Sequence, residues 1–458
     1  MGYGARMISD TIFALSSAPG KAGVAVIRVS GPKAWESYQA LSGDIKMQPR
    51  QAAVRSLKHP DSGEIIDQAM VIGFKAPASF TGEDVIEYHC HGSPAVLEEM
   101  FDVLAAQNSH RLAQHGEFTR RAFENGKLDL TEAEAIADLI DAETKAQKEQ
   151  AITQMSGALS TLYNSWIKDL TKALAYIEAI IDFPDEDVPD SETSQAIPAI
   201  QKLYEEINGH LNDNRRGERL RNGLQVVIIG APNAGKSSLI NVLAQRDVAI
   251  VSDLAGTTRD IIEVHLNLNG YPVIIADTAG LRPEQIGATG HEAIESEGIK
   301  RALKKAEEAD LKILLVDAEQ SEIADHTLSL IDDSTIVVVN KVDLALDIEK
   351  TFHVKQGDEA AFISTKTEAG ISEFLDRLSH KISDLMKVSR ETPSLTRQRH
   401  RQYLEESALY LEQAINETQP ELMAQNLRSA VNSLGRITGR VDVEDLLDVI
   451  FKDFCIGK

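Results

Sequence analysis

Residues 224–238 read Leu224-Gln-Val-Val-Ile-Ile-Gly230-Ala-Pro-Asn-Ala-Gly235-Lys236-Ser237-Ser238. The apolar run predicts a buried strand, and the residues after it are typical of a phosphate-binding loop that opens a helix. In such a loop, backbone N–H groups surround the β-phosphate, Lys236 neutralises phosphate charge and Ser237 places its hydroxyl on Mg²⁺. An ordinary glycine turn would not need lysine and serine after its second glycine. The stretch therefore predicts an α/β nucleotide-binding domain.

A second apolar run ends in a motif typical of guanine recognition. Asn340-Lys341-Val-Asp343 follows Ile336 to Val339, at the carboxyl end of a predicted strand, where doubly wound sheets bind ligands. The Asp343 carboxylate can accept hydrogen bonds from both the ring N–H and the exocyclic amine of guanine, a pair of donors that adenine lacks. Ser364-Thr365-Lys366 is a weaker signal for backbone support of the base. The spacing favours GTP over ATP.

A third apolar run ends at Asp277-Thr278-Ala279-Gly280, a segment that indicates hydrolysis. The Asp277 carboxylate would hold Mg²⁺ through water, and Gly280 would bond the γ-phosphate. The next residue is Leu281, whereas many GTPases have a glutamine that orients the attacking water. No arginine finger is obvious, and such a finger contributes roughly 10³ to 10⁵ in rate, or roughly 4 to 7 kcal/mol. Another cation and another polar side chain are therefore expected.

Residues 252–260, Ser-Asp-Leu-Ala-Gly-Thr-Thr-Arg-Asp, suggest where that cation would bind. Thr258 is expected to ligate Mg²⁺, and residues 252–257 form a loop rich in backbone carbonyls, which coordinate hard cations. With Asn233, this loop could hold a monovalent ion against the phosphates in place of an arginine. An ordinary switch loop is an equally supported alternative. The nucleotide site predicted from all these segments comprises Asn233, Ala234, Gly235, Lys236, Ser237, Ser238, Ser252, Asp253, Leu254, Ala255, Gly256, Thr257, Thr258, Asp277, Thr278, Ala279, Gly280, Asn340, Lys341, Asp343, Ser364, Thr365 and Lys366.

Three domains are predicted along the chain. Residues 1–125 mix short alternating apolar runs with turn glycines, which predicts an α+β domain. Residues 126–221 and 387–458 show helical periodicity, with a capping box predicted at Thr131-Glu-Ala-Glu134. Strand and helix alternate over residues 222–386. The predicted fold class is multidomain: an α+β amino-terminal domain, an all-α helical domain from two chain segments, and an inserted α/β P-loop domain.

Composition limits the possible functions. The formal net charge is −24 at pH 7, which argues against tight binding of nucleic acid by the chain alone. For the one basic cluster, Arg215 to Arg221, a solvated helix face is favoured over an RNA contact. No apolar span is long enough for a membrane helix and no signal pattern is present, so a cytoplasmic location without membrane association is expected. The two cysteines, Cys90 and Cys455, predict no disulfide.

Five segments together resemble the MnmE (TrmE) family of bacterial tRNA-modification GTPases, and the likeness runs nearly from end to end. The switch motifs are shared with other potassium-dependent GTPases, including ribosome-assembly ones, whereas the terminal Cys-Ile-Gly-Lys and the amino-terminal segments are far more specific. The segments are Gly230-Ala-Pro-Asn-Ala-Gly-Lys-Ser-Ser238, Ala255-Gly-Thr-Thr-Arg-Asp260, Asp277-Thr-Ala-Gly-Leu-Arg282, Asn340-Lys-Val-Asp343 and Phe454-Cys-Ile-Gly-Lys458.

The resemblance implies a homodimer formed through the amino-terminal domain, which would be similar to tetrahydrofolate-dependent aminomethyltransferases. That domain would bind a reduced folate, 5-formyl- or 5,10-methylene-tetrahydrofolate, as one-carbon donor. With the flavin-dependent partner MnmG (GidA), such proteins add an aminomethyl or carboxymethylaminomethyl group to C5 of the wobble uridine (U34) of certain tRNAs. Hydrolysis of GTP would follow when two G domains meet around K⁺, and the motion would reset the folate and tail region.

The resemblance also assigns site residues. Folate would contact Arg28, Glu87, Lys127 and Lys458, although without the resemblance Arg28 and Lys127 read as surface charges and Glu87 as a strand-edge carboxylate. Mg²⁺ would be ligated by Ser237 and Thr258. K⁺ would be ligated by Asn233, Ser252, Leu254 and Thr257.

Two catalytic assignments keep alternatives. Glu295 would orient the attacking water, filling the gap left by Leu281, but residues 283–290 are longer than expected and Glu297 is a rival. Cys455 would be a nucleophile toward C6 of uridine, or would only anchor the tail. A zinc site at His89-Cys90-His91 is a weaker hypothesis. Two other functions stay open: a ribosome-assembly GTPase, and a regulatory scaffold that binds GTP without needing turnover.

Overall fold

The computed structural model describes residues 10–43, 46–182, 190–231, 233–250, 263–277, 308–319, 331–344, 360–386, 393–441, 443–452 and 454–457, with side chains at 190–195, 277 and 444–446 left undescribed. The chain divides into two compact units. One comprises Met1–Ala137, Gln154–Leu203 and Glu406–Lys458, and the other comprises Asp138–Thr153 and Tyr204–Glu405.

The first unit contains a six-stranded mixed sheet with the order β3-β4-β5-β2-β1-β6. Neighbouring strands are antiparallel except β1 and β6, which are parallel. The helices beside this sheet are α1 (Ala34–Ser42), α2 (Pro94–Ala105) and α3 (Glu117–Glu124). The strands are β1 (Thr11–Leu15), β2 (Ala22–Ser30), β3 (Ala53–Lys58), β4 (Ile65–Phe74), β5 (Val85–Gly92) and β6 (His110–Leu112).

Alternation along the strands sorts their side chains onto two faces. Phe13 joins a buried core with residues of α1 and α2, such as Tyr38 and Met100. Ile12 and Ala14 project to the opposite face and form a smaller core that includes Phe118 of α3. Because Arg28 pairs across strands with Ala14, its side chain lies on the α3 face of the sheet.

Long helices complete the first unit. The buried residues of α6 (Ala158–Asp182) include Leu159, Tyr163, Trp166 and Leu170, at alternating steps of four and three. Those of α12 (Pro420–Thr438) include Met423, Leu427, Ala430 and Leu434, with the same steps. This spacing makes a narrow apolar seam, along which the two helices pack. The helices α7 (Asp190–Leu211) and α11 (Gln398–Asn416) are also long, and each has residues in both units; α13 (Glu444–Lys452) is shorter and lies in the first unit.

The predicted capping box at Thr131 is wrong by two residues. The helix α4 (Leu130–Ile140) is capped by Asp129, whose Oδ1 accepts a hydrogen bond from the Glu132 backbone N–H at 3.0 Å. Glu132 Oε2 in turn accepts from the Asp129 N–H at 2.9 Å. The Thr131 hydroxyl donates to Asp129 instead of capping the helix. Aspartate caps as well as threonine, and Asp-x-x-Glu fits the chain two residues earlier.

The second unit contains a six-stranded sheet with the order β12-β11-β10-β7-β9-β8. It is parallel except for the antiparallel edge strand β8. Separate apolar cores cover its two faces, as in doubly wound sheets. The helices are α5 (Lys145–Met155), α8 (Arg216–Asn222), α9 (Lys236–Ala244) and α10 (Ile371–Met386). The strands are β7 (Leu224–Ile229), β8 (Glu263–Leu268), β9 (Tyr271–Asp277), β10 (Leu311–Asp317), β11 (Thr335–Asn340) and β12 (Ala361–Phe362).

The predicted multidomain fold class is confirmed: one mixed sheet with helices, a set of long helices and one doubly wound sheet are all present. The two units group parts of the three predicted domains, whose boundaries at 125/126, 221/222 and 386/387 stay predictions. Within the described ranges, no helix combines the length and apolar character that crossing a membrane requires.

His210 makes the stability of the second unit depend on pH. It is 8 % exposed, and burial, together with Arg401 and His400 and against the pull of Asp213, lowers its pKa from 6.5 to about 4. Between these values the unfolded chain binds the extra proton, so stability should fall as pH drops from 6.5 to about 4, by about 3 kcal/mol in total.

Urea unfolding at a series of pH values checks this expectation. His210→Gln should flatten the pH dependence of stability between pH 6.5 and about 4. Glutamine does not titrate, so the variant has no pKa difference between the folded and unfolded states at this position. The matched control is His380→Gln, which removes an exposed imidazole from the same unit and should keep the wild-type slope. Equal slopes for wild type and His210→Gln would contradict the assignment.

Candidate nucleotide-binding site and tail site

The phosphate loop joins β7 to α9. Gly230 has φ +155°, and a Cβ there would lie 2.2 Å from the Leu315 carbonyl oxygen, so the loop can pass β10 this closely only with glycine. Lys236 is buried, and its ammonium donates hydrogen bonds to the carbonyls of Gly230 at 2.9 Å and Ala231 at 3.0 Å. The ammonium is thus held at the loop that is predicted to surround the β-phosphate.

Asn340 links three segments of the predicted site. Its side chain is fully buried, and its Nδ2 donates to the Ala234 carbonyl at 2.9 Å. Its Oδ1 accepts from the Thr365 backbone N–H at 3.1 Å. The Asn340 amide therefore connects the carboxyl end of β11 to the phosphate loop and to the loop after β12, because it forms one hydrogen bond with a backbone group of each loop.

Asp343 occupies the position predicted to recognise the base. It is exposed, and its Oδ1 accepts from the Ser364 hydroxyl at 2.6 Å. Ser364 is itself buried, and its oxygen accepts from the Thr367 N–H at 3.1 Å. Lys341 has φ +66° and pairs with Asp317 at 2.6 Å. The structure therefore brings the Asn-Lys-x-Asp and Ser-Thr-Lys segments together, with the Asp343 carboxylate oriented by Ser364.

Much of the predicted switch and metal site lies outside the described residues. Of the proposed metal ligands only Asn233 and Ser237 are described, both exposed on the phosphate loop or the first turn of α9. A hydroxyl and an amide oxygen are ligands that suit hard cations. The predicted residues outside the described ranges are Ser252, Asp253, Leu254, Ala255, Gly256, Thr257, Thr258, Thr278, Ala279, Gly280, Glu295 and Lys458, together with the rival Glu297 and the side chain of Asp277.

Two of the predicted folate residues meet on the α3 face of the first unit's sheet. Arg28 and Glu87 are cross-strand partners, and the Arg28 Nε donates to Glu87 Oε1 at 2.9 Å. The guanidinium carbon lies 5.5 Å from the ring centre of Phe80 and 5.7 Å from that of Phe118. Phe80 was not predicted, although a phenylalanine in a polar loop with a glycine two residues on is a signal for an exposed contact residue. It is 36 % exposed.

Lys127 does not contact the Arg28 pair. Its ammonium donates to the Pro77 carbonyl at 3.1 Å, and Asn125 donates to the Thr81 carbonyl at 2.7 Å. Both bonds hold the loop of residues 75–84 that carries Phe80. Arg28, through Phe80, and Lys127, through Pro77, therefore both contact the same loop.

The carboxyl-terminal tail is seated at the end of β1. The Ser16 hydroxyl donates to the Gly457 carbonyl at 2.8 Å, and a ring nitrogen of His115 lies 3.0 Å from the Phe454 carbonyl. Phe454 is buried, whereas Cys455 is exposed. Leu15, which Gly457 contacts, pairs with Ile27 next to Arg28. The tail is thus held at Leu15, one residue from Ala14, which is the cross-strand partner of Arg28, and the Cys455 thiol is exposed.

Gly457→Ala should release the tail. The glycine has φ +100°, and a Cβ would lie 2.1 Å from the Leu15 carbonyl oxygen. The left-handed backbone costs a non-glycine residue about 1 to 2 kcal/mol, and overpacking adds about 1 to 3 kcal/mol. Carboxypeptidase digestion followed by mass spectrometry should therefore show the tail removed at least tenfold faster. Gly63→Ala, also at positive φ (+75°) but with nothing within 4 Å, should digest like wild type; equal rates for all three proteins would contradict the seat.

The basic cluster at Arg215 to Arg221 is not simply a solvated helix face. Arg219 pairs with Asp310 at 2.6 Å, and Arg221 pairs with Asp138 at 2.8 Å. Arg215 lies 3.9 Å from Glu218. Asp310 and Asp138 lie far from this cluster in the linear sequence, whereas Glu218 lies within it. The cluster is therefore a set of ion pairs, and neither predicted reading described it.

The zinc hypothesis gains no support from the geometry. His91 Nδ1 lies 2.7 Å from Asp67 Oδ1, and Cys90 points into the apolar core, where burial raises the pKa of its thiol to about 12. In the part of the chain that the structure covers, no three histidine, cysteine or carboxylate side chains form a group that could hold a metal ion.

The parallel sheet, the phosphate loop and the Asp343 motif define the second unit as a guanine-nucleotide-binding P-loop protein. Comparison with known proteins agrees. The family model "GTP-binding protein TrmE N-terminus" matches residues 11–127, and that of the MnmE helical domain matches residues 130–455. The chain belongs to the MnmE (TrmE) family of tRNA modification GTPases, as the sequence predicted, and is a GTP hydrolase.

Individual relatives are similar over nearly the whole chain. The tRNA modification GTPase MnmE of Parvibaculum lavamentivorans is 51 % identical over 453 residues, covering 98 % of this chain and 100 % of that protein. The corresponding protein of Rickettsia canadensis is 48 % identical over 451 residues, with the same coverage. The solved G domain of the T. maritima FeoB iron transporter is 24 % identical and covers 36 % of this chain and 99 % of that one, at a TM-score of 0.25, too low to carry an argument.

Proposed function

We propose that this chain is a potassium-dependent GTP hydrolase that acts with a flavin-dependent partner, MnmG, in modifying C5 of the wobble uridine of certain tRNAs. The observation that carries the proposal is the Arg28–Glu87 pair on the same sheet whose strand β1 ends where the carboxyl-terminal tail is held, since a GTPase of ribosome assembly has no need of such a site. The family membership supports the same reading. We propose a homodimer in the cytoplasm, with a reduced folate as one-carbon donor and tRNA as substrate.

The nucleotide would be held by groups with distinct tasks. Asp343, held by Ser364, would accept from the guanine edge, while Lys236 would neutralise charge on the β- and γ-phosphates. Glu295, or its rival Glu297, would orient the attacking water, because the apolar side chain of Leu281 cannot do so. When bound, Mg²⁺ (Ser237 and Thr258) and K⁺ (Asn233, Ser252, Leu254 and Thr257) would supply the positive charge that an arginine finger supplies elsewhere.

The folate site would use the α3 face of the sheet. Glu87 would accept from the donor edge of a pterin ring, and Arg28 with Lys127 and Lys458 would attract the negatively charged or formyl-bearing parts of the molecule. Cys455, exposed in the tail, would be available for attack on uridine C6, since Phe454 and Gly457 already anchor the tail. Cys455→Ser tests this role: full modification by a folded variant would exclude the nucleophile.

GTP turnover in K⁺ against Na⁺ tests the central proposal. If K⁺ replaces an arginine finger, turnover in K⁺ should exceed that in Na⁺ by a large part of the roughly 10³- to 10⁵-fold that such a finger contributes. Binding of GTP should change much less, because the ion acts on the charge that develops during hydrolysis. Equal turnover in the two salts would exclude potassium dependence.

Calorimetry with 5-formyl-tetrahydrofolate separates tRNA modification from ribosome assembly. Wild type should bind, and Arg28→Met should bind at least tenfold more weakly because it loses both the charge and the pairing with Glu87. The matched control is Arg428→Met, which removes an exposed arginine paired with Glu178 on the long helices of the same unit. No binding by wild type would favour the ribosome-assembly alternative.

A further inference from the structure

The helix α8 makes contacts that the proposed function does not use. It precedes β7, so it lies where the chain enters the nucleotide-binding sheet, and residues 393–401 lie where the chain leaves it. A Cβ on Gly217 would lie 1.9 Å from the Leu395 carbonyl oxygen. The incoming helix and the outgoing segment therefore touch backbone to backbone, which only a glycine at this position permits.

A buried arginine ties the same two segments together. Arg401, near the start of α11, has a side chain that is only 6 % exposed. It donates to Glu218 Oε1 at 2.8 Å, to Asp213 Oδ1 at 2.6 Å and to the Leu211 carbonyl at 2.8 Å. One outgoing side chain thus holds the end of α7, the turn after it and α8.

Asp138 is a second side chain that is hydrogen-bonded to both segments, and we call Arg401 and Asp138, each with its partners, the two nodes. Its Oδ1 accepts from Arg221 Nε at 2.8 Å on the incoming side and from Arg397 at 2.6 Å on the outgoing side. The Asp138 side chain is 10 % exposed, so both bonds form away from bulk water. We call Gly217, Leu395 and these two nodes the clasp; its members are Asp138, Leu211, Asp213, Gly217, Glu218, Arg221, Leu395, Arg397 and Arg401.

The clasp is connected to the sheet that carries the phosphate loop. Arg219 of α8 pairs with Asp310 at 2.6 Å, and the Gln225 backbone N–H donates to the other oxygen of Asp310 at 2.9 Å. Gln225 and Asp310 lie at the amino ends of β7 and β10. The strand β7 then runs directly to Gly230 of the phosphate loop, so α8 is fixed to the end of the strand opposite the nucleotide.

Buried ion pairs of this kind contribute little to stability over a well-packed apolar alternative, because desolvation offsets the attraction. Breaking one is costly, however, since a charge is then left buried without its partner. A cluster with several such pairs is therefore rigid while intact, and resists small distortions. This property suits transmission of a displacement better than it suits stabilisation.

We propose that the clasp residues Asp138 and Arg401 are positioning residues that transmit the nucleotide state of the G domain to the helices α7 and α11. The inference rests on the proposed function in requiring GTP binding and hydrolysis. A displacement of β7 between nucleotide states would pass through Asp310 and Arg219 to α8, and from α8 through the two nodes to α7 and α11. The clasp residues take no part in the chemistry of hydrolysis.

Hydrogen exchange in the GDP-bound and GTP-analogue-bound states tests the inference. In wild type, amides in residues 204–222 and 398–405 should exchange at rates that differ at least tenfold between the two states. Asp138→Asn keeps the shape of the side chain but removes the charge shared by Arg221 and Arg397, and should reduce that difference to less than twofold. GTP turnover of the variant should stay within twofold of wild type, while tRNA modification with the partner should fall at least tenfold.

The control variant is Lys312→Met, which removes a mostly buried cation paired with Asp332 at 2.7 Å in the same unit but away from the clasp. It should keep the wild-type difference in exchange. Should Asp138→Asn fail to fold, Arg397→Lys keeps the charge, loses the guanidinium geometry, and should at least halve the difference.

The outcomes are distinguishable. A wild type that binds both nucleotides without a difference in exchange, or a variant with the wild-type difference, overturns the clasp while leaving the proposed function intact. Loss of GTP turnover in step with loss of modification also overturns it, because the residues would then act on hydrolysis itself. A wild type that binds no guanine nucleotide overturns the proposed function and the inference with it.

Discussion

Asp343→Asn should convert a protein that prefers GTP into one that prefers xanthosine triphosphate. The carboxylate accepts from two donors of guanine, whereas an asparagine offers one acceptor and one donor, which match the N–H and the carbonyl of xanthine. Each hydrogen bond to a charged group contributes about 1.5 to 3 kcal/mol, so the loss of GTP affinity should be roughly 10²- to 10⁴-fold. Titration with fluorescent analogues of both nucleotides measures the change.

The geometry around Asp343 supplies the control. Ser364→Ala removes the 2.6 Å hydrogen bond that orients the carboxylate but keeps its charge, so GTP affinity should fall about tenfold or less without a gain in xanthosine triphosphate binding. If Asp343→Asn kept its preference for GTP, the base would have to be recognised elsewhere.

Gly235→Ala should abolish tight nucleotide binding. Gly235 has φ +99°, and a Cβ would lie 2.2 Å from Asn340 Nδ2, the atom that holds the Ala234 carbonyl. The variant must either displace Asn340 or shift the phosphate loop, and both changes separate the loop from the base-binding segments. Backbone strain of about 1 to 2 kcal/mol and overpacking of about 1 to 3 kcal/mol predict a loss of roughly 10²- to 10³-fold in GTP affinity.

Gly270→Ala separates the two causes. Gly270 lies in the turn between β8 and β9 at φ +88°, and a Cβ there would meet nothing within 4 Å. It carries the backbone strain without the collision, so it should cost some stability and leave GTP affinity unchanged. Equal losses of affinity in the two variants would show that strain, and not the contact with Asn340, is responsible.

The nucleotide site was predictable because its parts are local. An apolar run is followed directly by a polar or glycine-containing motif at Gly230, Asp277 and Asn340, and each run forms the predicted strand of a mainly parallel sheet. Parallel strands place their carboxyl ends at one edge, so proximity of the motifs follows from topology. What the sequence could not supply is the bond from Asn340 to Ala234, since it depends on the fold of both loops.

The two wrong predictions have identifiable causes. Asp129 and Thr131 are both good helix caps, and the choice between them depends on which turn the following helix begins. For Arg215 to Arg221, the sequence shows the cations but not their partners, which lie far along the chain at Asp138 and Asp310. A basic run reads as a surface patch whenever its carboxylates come from distant segments.

The proposed folate site lies between these cases. The cross-strand pairing of Arg28 with Glu87 places two assigned residues together, which supports the resemblance that selected them. The contact of Phe80 with Arg28 and the seat of Gly457 at Leu15 were visible only in three dimensions, because each depends on a loop or a tail folding back onto the sheet.

The contact of Gly217 with Leu395 also bears on how such a chain could have arisen. Because Gly217 and Leu395 are in contact, the chain segment between them leaves the helices and returns to them at nearly the same place. A GTP-binding module can thus be transplanted into a helical host, or replaced there by a short linker, without stretching either side.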